Sequence, residues 1–194
     1  LLKPGHPMAL GPYSETDYVM EAKKNQLDAM NRSRQVILDV AKEFAAMSGR
    51  SYGFFEEYRT EDADYIMLLM GSAAGTAKDA VDELRDAGIK AGVIKLRVFR
   101  PFPEKELAKA LSVCKACAIL DRCESYNGNS GVLGSEVTAG LYRAGVQIRT
   151  LNRIYGLGGR DFTVESAKGV FEELKQWLES GEEPLQNEYI GLRR

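Results

Sequence analysis

Histidine is almost absent from this chain: among 194 residues the only one is His6, set between prolines near the start. A histidine-based catalytic triad and a histidine-rich metal site are therefore excluded. Cysteine is scarce as well. Cys114, Cys117 and Cys123 form C-x2-C-x5-C, a spacing that invites a metal or iron–sulfur reading. A cluster ordinarily takes four thiolates, however, and Cys117 falls in a predicted strand, where cysteine behaves as a small buried hydrophobe. The cysteines are expected to be structural or incidental, with no metal bound, and three unpaired thiols suit a reducing compartment. No apolar run approaches the roughly 20 residues of a membrane span, and no charged-then-apolar stretch resembles a signal peptide. The expectation is a soluble, cytoplasmic protein with no membrane partner. Charge of one sign is also missing: 26 basic and 28 acidic residues leave a net charge of -2, so the overall balance offers no electrostatic footprint for nucleic acid.

What the chain does contain is clearest between Asp64 and Pro103. Tyr65 to Met70 is an unbroken apolar run too short for a helix, the pattern of a strand buried on both faces of a parallel sheet. Gly71 ends it. Ala77, Ala80, Val81 and Leu84 then recur at helical spacing, with Lys78, Asp79, Asp82, Glu83 and Arg85 on the opposite face. Gly88 closes this helix, and Ala91 to Val98 supplies a second strand. Strand, crossover helix and strand within about forty residues make a βαβ unit, which is right-handed in nearly all known cases.

The remaining segments extend this α/β pattern. Residues 1–16 carry three prolines and two glycines without periodicity and read as a linker from something larger. Leu27, Met30, Ile37, Ala41 and Phe44 mark a helical stripe over residues 17–47, closed by Gly49, and its charged first part is expected to project as an arm. Residues 51–63 read as a connector whose Phe54, Phe55 and Tyr58 cover an edge of the core. Pro103 suits the first position of a helix that buries Leu107, Ala110 and Leu111. A third strand is predicted over Ala116 to Leu120, a helix bearing Leu133, Val137 and Leu141 follows, and a fourth strand over Gln147 to Ile154 alternates as an edge strand does. Thr163 is placed to cap a last helix with Ala167, Val170, Phe171, Leu174 and Leu178 facing the core. The domain is thus expected over residues 17–180, with a patternless tail over 181–194.

Two features bear on chemistry. The loop Gly71, Ser72, Ala73, Ala74, Gly75, Thr76 lies where open α/β sheets bind ligands, at a strand's carboxyl end. It is neither the dinucleotide fingerprint nor a phosphate-binding loop with its lysine. One reading is an anion site; the other is close helix packing, with Thr76 and Asp79 forming a capping box. The second feature is a set of arginines at strand exits: Arg97, Arg100, Arg122, Arg153 and Arg160. In a parallel sheet these converge beside Gly71 to Thr76 as a basic rim for a phosphate or for acidic side chains of a neighbouring domain. Alternatively they pair locally with Asp121, Glu124, Glu136 and Asp161.

With these residues in view, the chain resembles the C-terminal part of the alpha subunit of pyruvate:ferredoxin oxidoreductase and its 2-oxoacid relatives. The resemblance rests on RSYGFFEEYRTEDADYIMLLMGSAAGTAKDAVDELRDAGIK, on LRVFRPFP, on AILDR with the glycine-rich loop after it, and on YGLGGRDFT, together spanning roughly residues 5 to 175. It implies a three-layer α/β sandwich similar to the transketolase C-terminal domain, with a mostly parallel sheet of about five strands, one of them antiparallel. It implies a parent complex that oxidatively decarboxylates a 2-oxoacid with coenzyme A to an acyl-CoA and reduces ferredoxin, using thiamine diphosphate, magnesium and iron–sulfur clusters. The resemblance places those cofactors on other domains or subunits, so no catalytic residue or metal ligand is assigned here. The implied partners are the thiamine-binding, coenzyme A-binding and ferredoxin-like parts of the complex. The long N-terminal helix then packs against a missing domain, and exposed apolar surface or homodimerisation of the isolated piece is the expected symptom. Two competing readings stay open. One is an autonomous nucleotide- or anion-binding module using Gly71, Ser72, Gly75, Thr76, Arg97 and Arg100; the other is a transketolase or 2-oxoacid dehydrogenase C-terminal domain.

Overall fold

The computed structural model describes all residues other than 1, 2, 9, 10, 12, 14, 127, 128 and 194. The solid apolar run becomes β2 (Tyr65–Met70), followed by α2 (Ala73–Asp86) and β3 (Ala91–Leu96). Then come α3 (Glu104–Leu111), β4 (Ala116–Asp121), α4 (Val132–Ala144), β5 (Arg149–Ile154) and α5 (Val164–Ser180). Two strands complete the sheet: β1 (Phe55–Tyr58), pairing antiparallel with β3, and β6 (Glu188–Tyr189), pairing parallel with β5. The order is β1-β3-β2-β4-β5-β6, with every neighbour pair except β1-β3 parallel. Helices α2 and α5 cover one face through Ala77, Val81, Val170, Phe171 and Leu174. Helices α3 and α4 cover the other through Leu107, Leu111, Leu133 and Val137. The result is a three-layer α/β sandwich on a mostly parallel six-stranded sheet.

Several local expectations change. The connector over 51–63 holds β1: Glu56 and Glu57 interrupt its apolar pattern because an edge strand turns polar side chains to solvent and to ion pairs. Pro103 is the residue before α3 rather than its first, and Ala108 joins Leu107 and Leu111 in the core, with Ala110 half-buried against them. Thr76 lies inside α2, whose helix begins at Ala73, so Thr76 and Asp79 form no capping box; Ser72 precedes the helix and its side chain makes no cap bond. The tail adds β6 outside β5, and Leu151, Asn152, Arg153 and Ile154 are all buried, so β5 is not a half-exposed edge. At α5 the Thr163 side chain accepts from the Ser166 N–H at 3.1 Å, as its position predicts.

Helix α1 (Thr16–Ser48) stands apart, since none of its 33 residues is buried. Met30, Arg34, Ile37, Ala41 and Ala45 are half-covered by the domain, while Leu27, Val36, Val40, Phe44 and Met47 are exposed. Arg34 makes the attachment. It donates to the Phe102 carbonyl at 3.0 Å, pairs with Glu106 at 2.6 Å and lies 4.8 Å over the Phe54 ring.

Candidate functional site

From β2 the chain turns into α2 on one face of the sheet, and from β4 it turns into α4 on the other. The two exits diverge, and between them the sheet has its topological switch point, where open α/β folds leave a crevice for ligands. A cavity of about 490 Å³ lies there, walled mainly by Met70, Phe99, Leu120, Leu133 and Tyr155, with Arg122 beside them. Tyr155 donates to the Met70 carbonyl at 3.4 Å and ties the strand ends together. Burial pushes its phenol above the usual value; the Arg122 charge opposes this and the Asp121 carboxylate adds to it.

Asp121 governs the floor of this crevice. It is buried at the end of β4, and its two oxygens accept from the N–H groups of Leu133 at 2.8 Å and Gly134 at 2.9 Å, in the first turn of α4. Oδ2 also accepts from Asn152 Nδ2 at 2.9 Å. Asn152 in turn donates to the Ile119 carbonyl at 2.9 Å and accepts from the Gly131 N–H at 2.8 Å. A helix N-terminus with free amides and a positive dipole end is a general anion site. Here that position already holds a carboxylate from the protein itself. Sequence reading placed Asp121 among partners for the arginines and did not single out Asn152. The available signal was an acid closing an apolar strand, with an amide inside the next one.

The arginines are distributed rather than pooled. Arg97 pairs with Glu56 of β1, which Lys78 also holds, and stacks 4.6 Å from the Tyr52 ring. Arg100 pairs with Glu136 at 2.5 Å and lies 4.2 Å over Phe99. Arg153 does not face the rim: it is buried, pairs with Glu173 of α5 at 2.9 Å and donates to the Leu185 carbonyl at 2.7 Å, fastening the tail. Arg160 donates to the Gly191 carbonyl. Of the four acids considered as local partners, Glu136 alone forms an ion pair with these arginines among the described residues. Arg122 is exposed, donates to the Gly156 carbonyl at 3.2 Å and has no carboxylate partner among the described residues. Of the loop residues, Gly71 lines the crevice, with φ +76, while Gly75 and Thr76 lie within α2.

Cys114 and Cys117 are buried under α3 and α4, and Cys123 is exposed at the crevice. Among the described residues no three of His, Cys, Asp and Glu converge as a metal site. The crevice also does not fit thiamine diphosphate with its magnesium. Its walls are apolar, the adjacent helix terminus is filled by Asp121, and a diphosphate held there would face that buried charge.

These features define a doubly wound α/β domain that has a ligand-sized crevice and no assembled catalytic group among its described residues. Within that class, the chain belongs to the pyruvate:ferredoxin oxidoreductase core domain II family, whose model matches residues 63–167. It is 38% identical over 193 residues to pyruvate synthase subunit PorA of Thermotoga maritima, covering 100% of this chain and 48% of that protein. It is 39% identical over 193 residues to the PorA of Methanothermobacter thermautotrophicus, with the same 100% and 48% coverage. The ketoisovalerate oxidoreductase subunit VorA of Pyrococcus horikoshii is 40% identical over 190 residues, 97% of this chain and 48% of that one. The chain thus spans about half the length of the curated relatives it matches.

Proposed function

We propose that this chain is an assembly and interface domain of a 2-oxoacid:ferredoxin oxidoreductase. Its parent complex would convert a 2-oxoacid and coenzyme A to an acyl-CoA and carbon dioxide in the cytoplasm, passing the electrons to ferredoxin. Thiamine diphosphate, magnesium and iron–sulfur clusters would be held by the other domains and subunits. This domain would supply rigid packing surface and no reacting group. Family membership supports the reaction class, and the residue chemistry supports the division of labour, because the arginines at strand exits mostly serve internal contacts.

The observation that carries the reading is the uncovered side of α1. Val36, Val40 and Met47 fall on one stripe and are 59%, 57% and 76% exposed, with Phe44 beside them. Contiguous apolar side chains on a helix seek a partner surface. In the assembled enzyme that surface belongs to the thiamine-binding part of the subunit or to a second subunit, and homodimerisation of the isolated chain is the alternative cover.

The test is the double substitution Val36→Lys and Val40→Glu, introduced into the complete complex. Assembled complex on size-exclusion chromatography falls sharply, whereas the isolated chain keeps its circular dichroism spectrum and unfolding midpoint. Wild-type assembly of the doubly substituted enzyme would overturn the assembly role. Turnover of a 2-oxoacid by the isolated chain with coenzyme A and an electron acceptor would overturn the non-catalytic one.

A further inference from the structure

The switch-point crevice has a construction that an assembly role does not use. Its walls are apolar, from Met70, Leu120, Val132, Leu133 and Tyr155, and its volume of about 490 Å³ is that of a small-molecule pocket. One cation sits at its edge. Arg122 is held by the Gly156 carbonyl at 3.2 Å and lies 5.9 Å from the Tyr155 ring centroid. Its seat requires glycine: a Cβ on Gly156 would lie 2.9 Å from Arg122 Nε, on a residue already at φ +68. Arg122 is also the arginine that lines this cavity without a carboxylate partner among the described residues, whereas Arg97, Arg100 and Arg153 each have one.

We propose that this crevice is a binding site for a small monocarboxylate with a branched or aromatic apolar body. The carboxylate pairs with Arg122 at the mouth, and the body lies between Leu120, Leu133 and Tyr155. The chemistry selects this class over its neighbours. A phosphate or diphosphate needs several donors around two or more negative charges, and the lining supplies one cation, Arg122, against the Asp121 carboxylate, with mostly apolar side chains around them. The carboxylate of Asp121, fixed in the floor by three donors, repels a second deep charge and confines the ligand's own charge to the mouth. A neutral apolar molecule would leave the guanidinium without return for its partial desolvation.

Cys123 lines the same cavity and is exposed, so it reports on occupancy. In the intact enzyme complex, the rate of Cys123 alkylation by iodoacetamide is followed by peptide mass spectrometry, with 4-methylpentanoate or 3-phenylpropanoate as the probe. Either carboxylate slows the labelling saturably, and the corresponding amides do not. In Arg122→Gln the concentration needed for protection rises about tenfold or more, the loss expected from one charge-assisted pair. Leu133→Trp, which fills the cavity from its wall, abolishes ligand-dependent protection while Arg122 remains. Equal protection by carboxylate and amide, or protection unchanged in Arg122→Gln, overturns the proposal. So does a Cys123 that is already unreactive in the complex, because another subunit then occupies the crevice. These outcomes are independent of whether the α1 substitutions disrupt assembly.

Discussion

Asp121 occupies the space in which a side chain on Gly131 would begin: a Cβ at position 131 would lie 2.2 Å from the Asp121 carboxyl carbon. The absent side chain at 131 lets the strand-end acid reach the amides of α4. Asp121→Ala leaves the N–H groups of Leu133 and Gly134 without an acceptor in a buried place, and leaves Asn152 Nδ2 with the Ile119 carbonyl alone. The expected loss is about 3 kcal/mol in urea unfolding, the scale of a buried charged hydrogen-bond network losing its acceptor. Gly131→Ala should cost about 2 kcal/mol through overpacking at the same point. A loss well below 1 kcal/mol for Asp121→Ala would mean that water or a shift of α4 replaces the carboxylate.

Arg34 anchors a helix that has no buried residue of its own. Arg34→Met removes the bond to Phe102, the pair with Glu106 and the cation over Phe54. Because the pair is partly exposed, the equilibrium effect should be only about 1 kcal/mol. The larger signal is local. Hydrogen exchange should accelerate in residues 30–48 and stay unchanged in α2 and α5. Uniform acceleration across the domain would contradict a local anchor.

The Glu56 carboxyl lies below its ordinary value of 4.5, chiefly through the hydrogen bond from Lys78, with burial opposing and the charges of Lys78 and Arg97 assisting. The folded state therefore favours the ionised acid. Its contribution is fully present above pH 4.5 and is lost as pH falls through the lower folded value. Glu56→Gln should lower the urea midpoint by a constant amount near neutral pH, and the difference from wild type should shrink in more acidic solution. A gap that widens on acidification would show that the pair does not stabilise the fold.

The three thiols should separate by reactivity. Burial pushes Cys114 up to about 12 and Cys117 well above its usual 9.0, while Cys123 is exposed. Thiolates are the reacting species, so mildly alkaline iodoacetamide should label Cys123 in the folded chain and the other two only after unfolding. Native labelling of Cys117 would place β4 outside the core.

The sheet's centre was legible because its chemistry is local. Tyr65 to Met70 is apolar throughout, as a strand covered on both faces must be, and the helical period begins right after it. The edges were not, because Glu56 and Glu57 look like connector residues until β3 is beside them. Two residues at Glu188 and Tyr189 are too few to form a pattern. The crevice was half legible: the strand exits and their arginines can be counted along the chain, but their partners cannot. Glu56 and Arg97 are 41 residues apart, and Asp121 and Asn152 are 31 apart. Such pairs exist only through the packing of one element on another. A buried asparagine and a glycine that admits a carboxylate leave little trace in sequence beyond being out of place.

At 1.5 Å per residue the 33-residue α1 is about 50 Å long. The domain holds it along its second half only, so the first half is a rod whose pitch sets the bearing of any surface docked on it. Inserting two residues ahead of Met30 would turn the first half's faces by about 200° and move them by about 3 Å relative to the domain, with the sheet, the crevice and every buried contact left intact. An insertion of seven would nearly restore their facing at a greater reach. On the proposed assembly role, spacing along this rod would set the angle between the domain and a partner docked on the first half of the helix.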